Sequence, residues 1–192
     1  MEKLELKHIA AYLPYNLNFI DKKGNILRMD ALRVRDYNVW AYQRYVNGEK
    51  DKNDINYPHL SSLKCTGEGN LLKKIKPILR PMIDLTNSII VKGYNNNKPF
   101  VPLIDMAKYD MGNEGNKYEL KRDLDPYIAS YYVKVTIDGY NDPFFYNFNI
   151  DVRYTHANLW ELDFLNQWNF DYRGLINKGL AIDINKLNNN KS

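Results

Sequence analysis

The stretch LNFIDKKGNILRMDALRVRDYNVWAYQRYV, residues 17–46, decides the fold. Apolar runs at 17–20 and 26–29 flank Asp21, Lys22, Lys23, Gly24 and Asn25, and the last two tolerate the positive φ that hairpin turns demand. Residues 39–46 gather aromatic and β-branched side chains and predict a third strand. The chain therefore begins as antiparallel sheet.

Working outward, residues 47–59 (NGEKDKNDINYPH) are polar turn-formers and predict an exposed loop. In residues 71–81 (LLKKIKPILRP) a continuous helix is excluded, because Pro77 removes a donor and biases Lys76 toward extended backbone. Pro81 suits the first turn of a helix running to about residue 90, with Met82, Leu85 and Ile89 on one face. A turn at 93–99, an apolar segment at 100–107 and a second exposed loop at 110–118, marked by Gly112 and Gly115, follow.

The alternation of Tyr131, Val133, Val135 and Ile137, the turn at Asp138-Gly139 and the run at 144–154 predict a second hairpin. Leu159, Leu162, Leu165, Trp168, Tyr172 and Leu175 recur at three- and four-residue spacing and predict an amphipathic helix. Asn158 and Glu161 have capping-box spacing, Gly174 weakens the helix interior, Gly179 stops it, and residues 181–184 return as a short edge strand. The expectation is one α+β domain over residues 1–192, of antiparallel strands and hairpins with two or three helices, the amphipathic one C-terminal. No internal repeat is present.

Composition fits this class. The chain has 192 residues, 44% hydrophobic and 26% charged, with a mean hydropathy of −0.58. A length of this order buries roughly 70% of the unfolded surface and needs neither disulfide nor metal to fold. Lys and Arg number 27 against 23 Asp and Glu, a net +4, but the first 80 residues hold 15 against 9 and the rest 12 against 14. An anion-facing surface is expected from the first part. Asn, Lys and Tyr are frequent, as coding in an AT-rich genome would produce.

Cys65 is the only cysteine, so no internal disulfide or Cys-rich zinc site is available. The start MEKLELKH lacks an apolar h-region, and no apolar run reaches the roughly 18 residues of a membrane span. A cytoplasmic protein, or one carried in a virion, is expected, with no membrane partner.

Enzyme chemistry is not visible. Hydroxyl nucleophiles are confined to Ser61, Ser62, Ser88, Ser130, Ser192, Thr66, Thr86, Thr136 and Thr155, none in a Gly-x-Ser-x-Gly elbow. His8, His59 and His156 lie far apart with no metal-ligand spacing, and nothing around Cys65 marks it as a nucleophile. Thr66-Gly67-Glu68-Gly69-Asn70 lacks the Gly-Lys-Ser/Thr ending of a phosphate loop. Glu161 and Asp163, two apart on a helix, point away from each other, and Asp123 with Asp125 reads as a turn pair. No cofactor is implied.

The segment 28–45 interleaves guanidinium groups, forked donors for phosphate, with aromatic rings that stack on bases. Candidate ligand-binding residues are Arg33, Arg35, Trp40 and Arg44, extended by Lys76 and Arg80 from a basic cluster that includes Lys73 and Lys74. Read as one extended strand, Arg33, Arg35 and Tyr37 share one face and Trp40, Tyr42 and Arg44 the other, which divides the surface. A half-buried strand with aromatics inward and arginines in water explains the same pattern.

Three stretches, HIAAYLPY at 8–15, IKPILRPMIDLT at 75–86 and WNFDYRGLINKGLAIDIN at 168–185, together resemble small uncharacterised proteins encoded by phages and prophages of Bacteroidetes. Those typically show a His-Leu-Ala-Pro-Tyr-Leu-Pro-Tyr-like start, a Lys-Pro-Leu/Ile-Leu-Arg-Pro block and a Gly-Leu-Ile-x-Lys-Gly-Leu-Ala-Ile-Asp-Ile-Asn end. The match covers about a fifth of the chain, and Ala11 stands where the first proline is usual. The resemblance implies a phage context and no catalytic residue. Packing explains most of the motif residues; Arg80, Asp84 and Asp183 are the exceptions, read as an internal ion pair in preference to a pocket lining.

The resulting expectation is a non-catalytic, phage-encoded binding protein, capturing a host protein or a nucleotide-like small ligand as a defence antagonist, with a homo-oligomer fitting this use. A nucleic-acid-binding accessory protein of phage replication or transcription comes second, and a virion or assembly component third.

Overall fold

The computed structural model of the chain describes residues 2–35, 38–47, 59–62, 71–112, 115–122, 131–148 and 157–189. In order these carry α1 (Leu6–Ile9), β1 (Asn18–Asp21), β2 (Ile26–Arg35), β3 (Asn38–Asn47), β4 (His59–Ser62) and β5 (Ile75–Leu79). Then come α2 (Pro102–Met111), β6 (Lys117–Arg122), β7 (Tyr131–Thr136), β8 (Phe144–Phe148), α3 (Leu159–Gln167), β9 (Ile182–Asp183) and α4 (Ile184–Asn189). The fold is α+β as expected, but with four α-helices among the described residues in place of the two or three expected, since the short turns Leu6–Ile9 and Ile184–Asn189 are also helical. The chain divides into two compact units, Met1–Pro81 with Leu165–Ser192, and Met82–Phe164.

The first unit is built on a six-stranded sheet of order β4-β3-β2-β1-β5-β9, antiparallel except that β5 and β9 are parallel. Its first hairpin is the expected one. The Asp21 carboxylate accepts the backbone N–H groups of Lys23 at 2.8 Å and Asn25 at 2.9 Å and the Asn25 side-chain amide at 3.0 Å, while Gly24 takes φ +87°. Pro77 is tolerated inside β5 because β9 pairs only from Ile78 onward, which leaves β5 paired on one side at the proline.

Phe19, Leu27 and Met29 define the core face of this sheet. Tyr12, from the 3-10 helix Ala10–Tyr15, is fully buried beside them and donates its hydroxyl to the Phe170 carbonyl at 2.9 Å, tying the two ends of the unit together. Burial raises the Tyr12 phenol well above its ordinary range, so it stays a donor.

The second unit packs α2 against the antiparallel sheet β6-β7-β8, burying Leu103, Met106 and Ala107 with Val133, Val135, Tyr146 and Phe148. The hairpin β7-β8 is the one expected from the alternation at 131–137. Segment 100–107, read only as apolar, opens α2 with Pro102 at its first position, and β6 had no recognised signal.

Three other expectations are corrected. The helix proposed for residues 81–90 is a 3-10 helix, Met82–Thr86, and Ile89 instead forms a bridge with Phe100. The exposed loop proposed for 110–118 is shorter, since α2 runs to Met111 and β6 begins at Lys117. The helix proposed through Leu175 stops at Gln167. Its end is a Schellman motif: Asn169 takes φ +57°, its N–H meets the Asn166 carbonyl at 3.1 Å, and the Phe170 N–H meets the Leu165 carbonyl at 2.8 Å. Leu159 at its start is 87% exposed and so contributes nothing to a buried stripe. The loop proposed for 47–59 falls almost wholly outside the described residues.

Past α3 the chain makes one further turn, closed by a second Schellman pair in which Gly179, at φ +69°, is the expected stop. Buried Asp171 organises this turn by accepting the N–H groups of Leu175 and Ile176, both at 2.7 Å. Burial nonetheless raises its carboxyl above the ordinary value, outweighing those two donors. A raised folded-state value contributes stability that is complete below the unfolded-state value and is lost as pH rises through the folded one. The unfolding free energy of the protein minus that of Asp171→Asn, which does not titrate, is therefore expected to fall as pH rises above about 4. Urea denaturation of both proteins across that range measures it; a difference that grows with pH would contradict the assignment.

Candidate functional site

Segment 28–45 is a hairpin, and this reverses the division expected for one extended strand. In β2 and β3, Arg35 pairs with Asn38, Arg33 with Trp40, Ala31 with Tyr42 and, past a register shift between Met29 and Ala31, Arg28 with Arg44. Directly opposed residues of an antiparallel pair lie on one face, and alternate residues of a strand share that face. The register shift at Asp30 resets the alternation, so Arg28 joins Arg33 and Arg35. Arg28, Arg33, Arg35, Trp40, Tyr42 and Arg44 thus occupy register positions on a single face.

That face is opposite the core face. Leu27, paired with Tyr45, and Met29, paired with Gln43, are the buried positions, and Leu32, Val34, Val39 and Ala41 continue their row. Strand β4 continues this register row with uncharged residues, since Trp40 pairs with Ser62 and Tyr42 with Leu60. On the other side Arg28 pairs with Asn18 of β1, and Ile20 of β1 pairs with Lys76 of β5. Four of the six candidate residues therefore lie together on the hairpin. Lys76 lies on the same face three strands from β3, roughly 14 Å across the sheet.

Arg80 is elsewhere. Its backbone bridges the C-terminal segment, accepting from Asp171 N–H at 2.8 Å and donating to the Asn169 carbonyl at 2.8 Å. Its half-buried guanidinium stands 6.0 Å from the centre of the Phe170 ring, a cation–π contact within the unit. Asp84 accepts from the Asn87 amide at 3.0 Å, and Asp183 accepts the Asn185 N–H at 2.9 Å where α4 begins.

Lys76 also lines a second feature, which the sequence did not reveal. A cavity of about 510 Å³ opens at the end of β1 and β5, with the exposed lysines Lys3, Lys22, Lys73, Lys74 and Lys76 around it. Asp21 is the lone acid among its lining residues, and that carboxylate is already engaged by the turn Asp21–Asn25. The basic cluster at 73–76 was the legible part. Lys3 and Lys22 come from distant sequence and needed the fold to join it.

Other polar groups have structural work. His8 is buried, its Nδ1 accepting the Glu5 N–H at 3.1 Å, and burial first and Lys7 second lower its pKa, which favours the neutral ring. Glu161 completes the reach-back half of the expected capping box, accepting the Asn158 N–H at 2.6 Å, and its other oxygen accepts the Tyr146 hydroxyl at 2.6 Å. Both oxygens are committed. The Tyr94 hydroxyl, 3.2 Å from Asp105, is pushed up to about 12, by burial first and then by that carboxylate.

Among the described residues no group of three or more His, Cys, Asp or Glu can hold a metal, and no helix is long and apolar enough to cross a membrane. Cys65 and His156 lie outside the described residues. The chain matches no family model, no curated protein and no solved structure.

The register is directly testable by crosslinking. In a Cys65→Ser background, the pair Arg33→Cys with Trp40→Cys is expected to form a disulfide on mild oxidation, because opposed Cα atoms stand about 4.5–5.5 Å apart. Arg33→Cys with Ala41→Cys, on opposite faces, is expected to stay reduced, as read by mass spectrometry without reductant. The reverse pattern would return the aromatic residues to the other face.

Proposed function

We propose that this is a non-catalytic binding protein that captures a nucleotide-like anion on the hairpin β2-β3. The observation that carries the reading is the register, which gives Arg33, Arg35 and Arg44 one face with Trp40 and Tyr42. Guanidinium forks meet phosphate oxygens bidentately, and aromatic faces accept a base, so both halves of a nucleotide find partners on neighbouring rows. A binding role needs no acid–base pair or metal. The phage context implied by the resemblance gives such capture a use, sequestering a host signal in the host cytoplasm, and pairing of copies through the β4 edge would make a homo-oligomer.

A single-stranded nucleic acid is the second reading, and the length of the face favours it. From Arg28 to Arg35 the row runs roughly 20 Å, longer than one nucleotide needs. Such a ligand would add phosphate contacts and a steep salt dependence.

Fluorescence titration with a labelled dinucleotide and with a labelled single-stranded oligonucleotide, at about 50 and 200 mM salt, separates the two. Arg33→Ala, Arg35→Ala and Arg44→Ala are each expected to weaken the bound probe about tenfold or more, the loss of one charge-assisted hydrogen bond. Preference for the dinucleotide with a shallow salt slope supports capture of a small ligand. Preference for the oligonucleotide with a steep slope supports the second reading, and undiminished affinity in all three variants would remove the surface.

A further inference from the structure

We infer that the lysine-rimmed cavity of the first unit binds a single-chain aliphatic anion, a ligand chemically distinct from the nucleotide proposed for the hairpin. The cavity, about 510 Å³, is of a size that encloses a small molecule. Its apolar lining is Leu4, Ile20, Leu72, Ile75, Leu180 and Ile182, all aliphatic. No aromatic residue lines it, so a nucleobase has no face on which to stack, whereas a hydrocarbon chain gains burial against every wall.

The charge among its lining residues is as one-sided as the floor is apolar. Five lysines face one aspartate, and that aspartate spends three acceptor contacts on its own turn. Ammonium groups are compact point charges without the forked geometry of arginine, suited to a small anionic head approached from several directions. Their flexible stems extend the apolar wall while their heads stay in water. An apolar tail below and a carboxylate or phosphate monoester at the rim satisfies both features, and neither a neutral amphiphile nor inorganic phosphate does.

The cavity walls come from four places in the chain: residues 3–4, the β1-β2 turn, the segment 72–76 and residues 180–182. Two of these are held by the buried side chains Leu72, Ile75 and Leu180, so the floor is part of the core and preformed. Binding there requires no strand to move.

Isothermal titration calorimetry of the full chain with decyl phosphate and decanoate, below their micellar concentrations, tests the inference. Decyl maltoside and inorganic phosphate are the comparators, and anionic phospholipid vesicles form a separate arm. Saturable one-to-one binding of an anionic probe, at least about tenfold tighter than either comparator, is expected, and the preferred head identifies carboxylate or phosphate. Lys73→Ala with Lys74→Ala, both exposed and so compatible with folding, should weaken it about tenfold. Ile182→Glu should abolish it while near-ultraviolet circular dichroism stays native. Arg33→Ala should leave it unchanged, which separates this site from the hairpin reading. Equal affinity for the neutral amphiphile, binding of inorganic phosphate alone, association with vesicles only, or no heat with either anionic probe would each overturn it.

Discussion

Phe19 is the residue on which the first unit depends. It sits in the middle of four-residue β1, fully buried, opposite Leu27 on one side and Pro77 on the other. Through that row the hairpin β2-β3-β4 is joined to β5 and β9 in one sheet. Because strand faces alternate with a period of two, placing Phe19 in the core assigns every neighbour its face: Leu27 and Met29 inward, Asn18, Arg28 and Lys76 outward. A one-residue slip of β2 would bury Arg28 and expel Leu27. The burial of two large apolar side chains in place of one guanidinium outweighs any gain from such a slip by several kcal/mol.

The candidate binding face is a consequence of the same constraint. Its register row alternates with the row of Leu27 and Met29, and the register shift at Asp30 is what lets both halves of β2 contribute arginines to it. Without that shift Arg28 would fall in the row of Leu32 and Val34. A bulge is one extra residue in one strand, and here it separates a surface with two arginines on β2 from one with three.

Much of this was legible in the sequence, and the failures have identifiable causes. The turn at Asp21–Asn25, the hairpin at 131–148, the capping role of Glu161 and the stop at Gly179 followed from local chemistry. The two-face reading of residues 33–44 fails because it counts alternation through one continuous strand, whereas β2 ends at Arg35 and its antiparallel partner β3 begins at Asn38. The helix over 159–175 was overextended because apolar spacing continued past Asn169, whose left-handed backbone ends the helix at an asparagine instead of a glycine. Asparagine does this repeatedly: Asn16, Asn95, Asn96, Asn97 and Asn169 are the non-glycine residues at positive φ among those described. An excess read as coding bias therefore supplies turn chemistry, whatever its origin.

The lysine cavity was invisible for a different reason. Lys73, Lys74 and Lys76 were seen as a cluster, but a basic stretch in sequence is ordinarily a solvated edge, and only closure of the sheet brings Lys3 and Lys22 beside it. Gathering five like charges around one opening costs the fold self-repulsion that salt screens only in part. Glu2 and Glu5, which flank the lining residues Lys3 and Leu4 in sequence, instead meet Lys178 at 3.2 Å and Lys7 at 2.8 Å, neither of which lines the cavity. The cavity lining contains one acid and ties it into a turn. An excess of lysine over acid among the residues that line an apolar floor is what an anionic amphiphile complements on binding, and that complementarity, more than the number of lysines, separates a ligand site from a soluble edge.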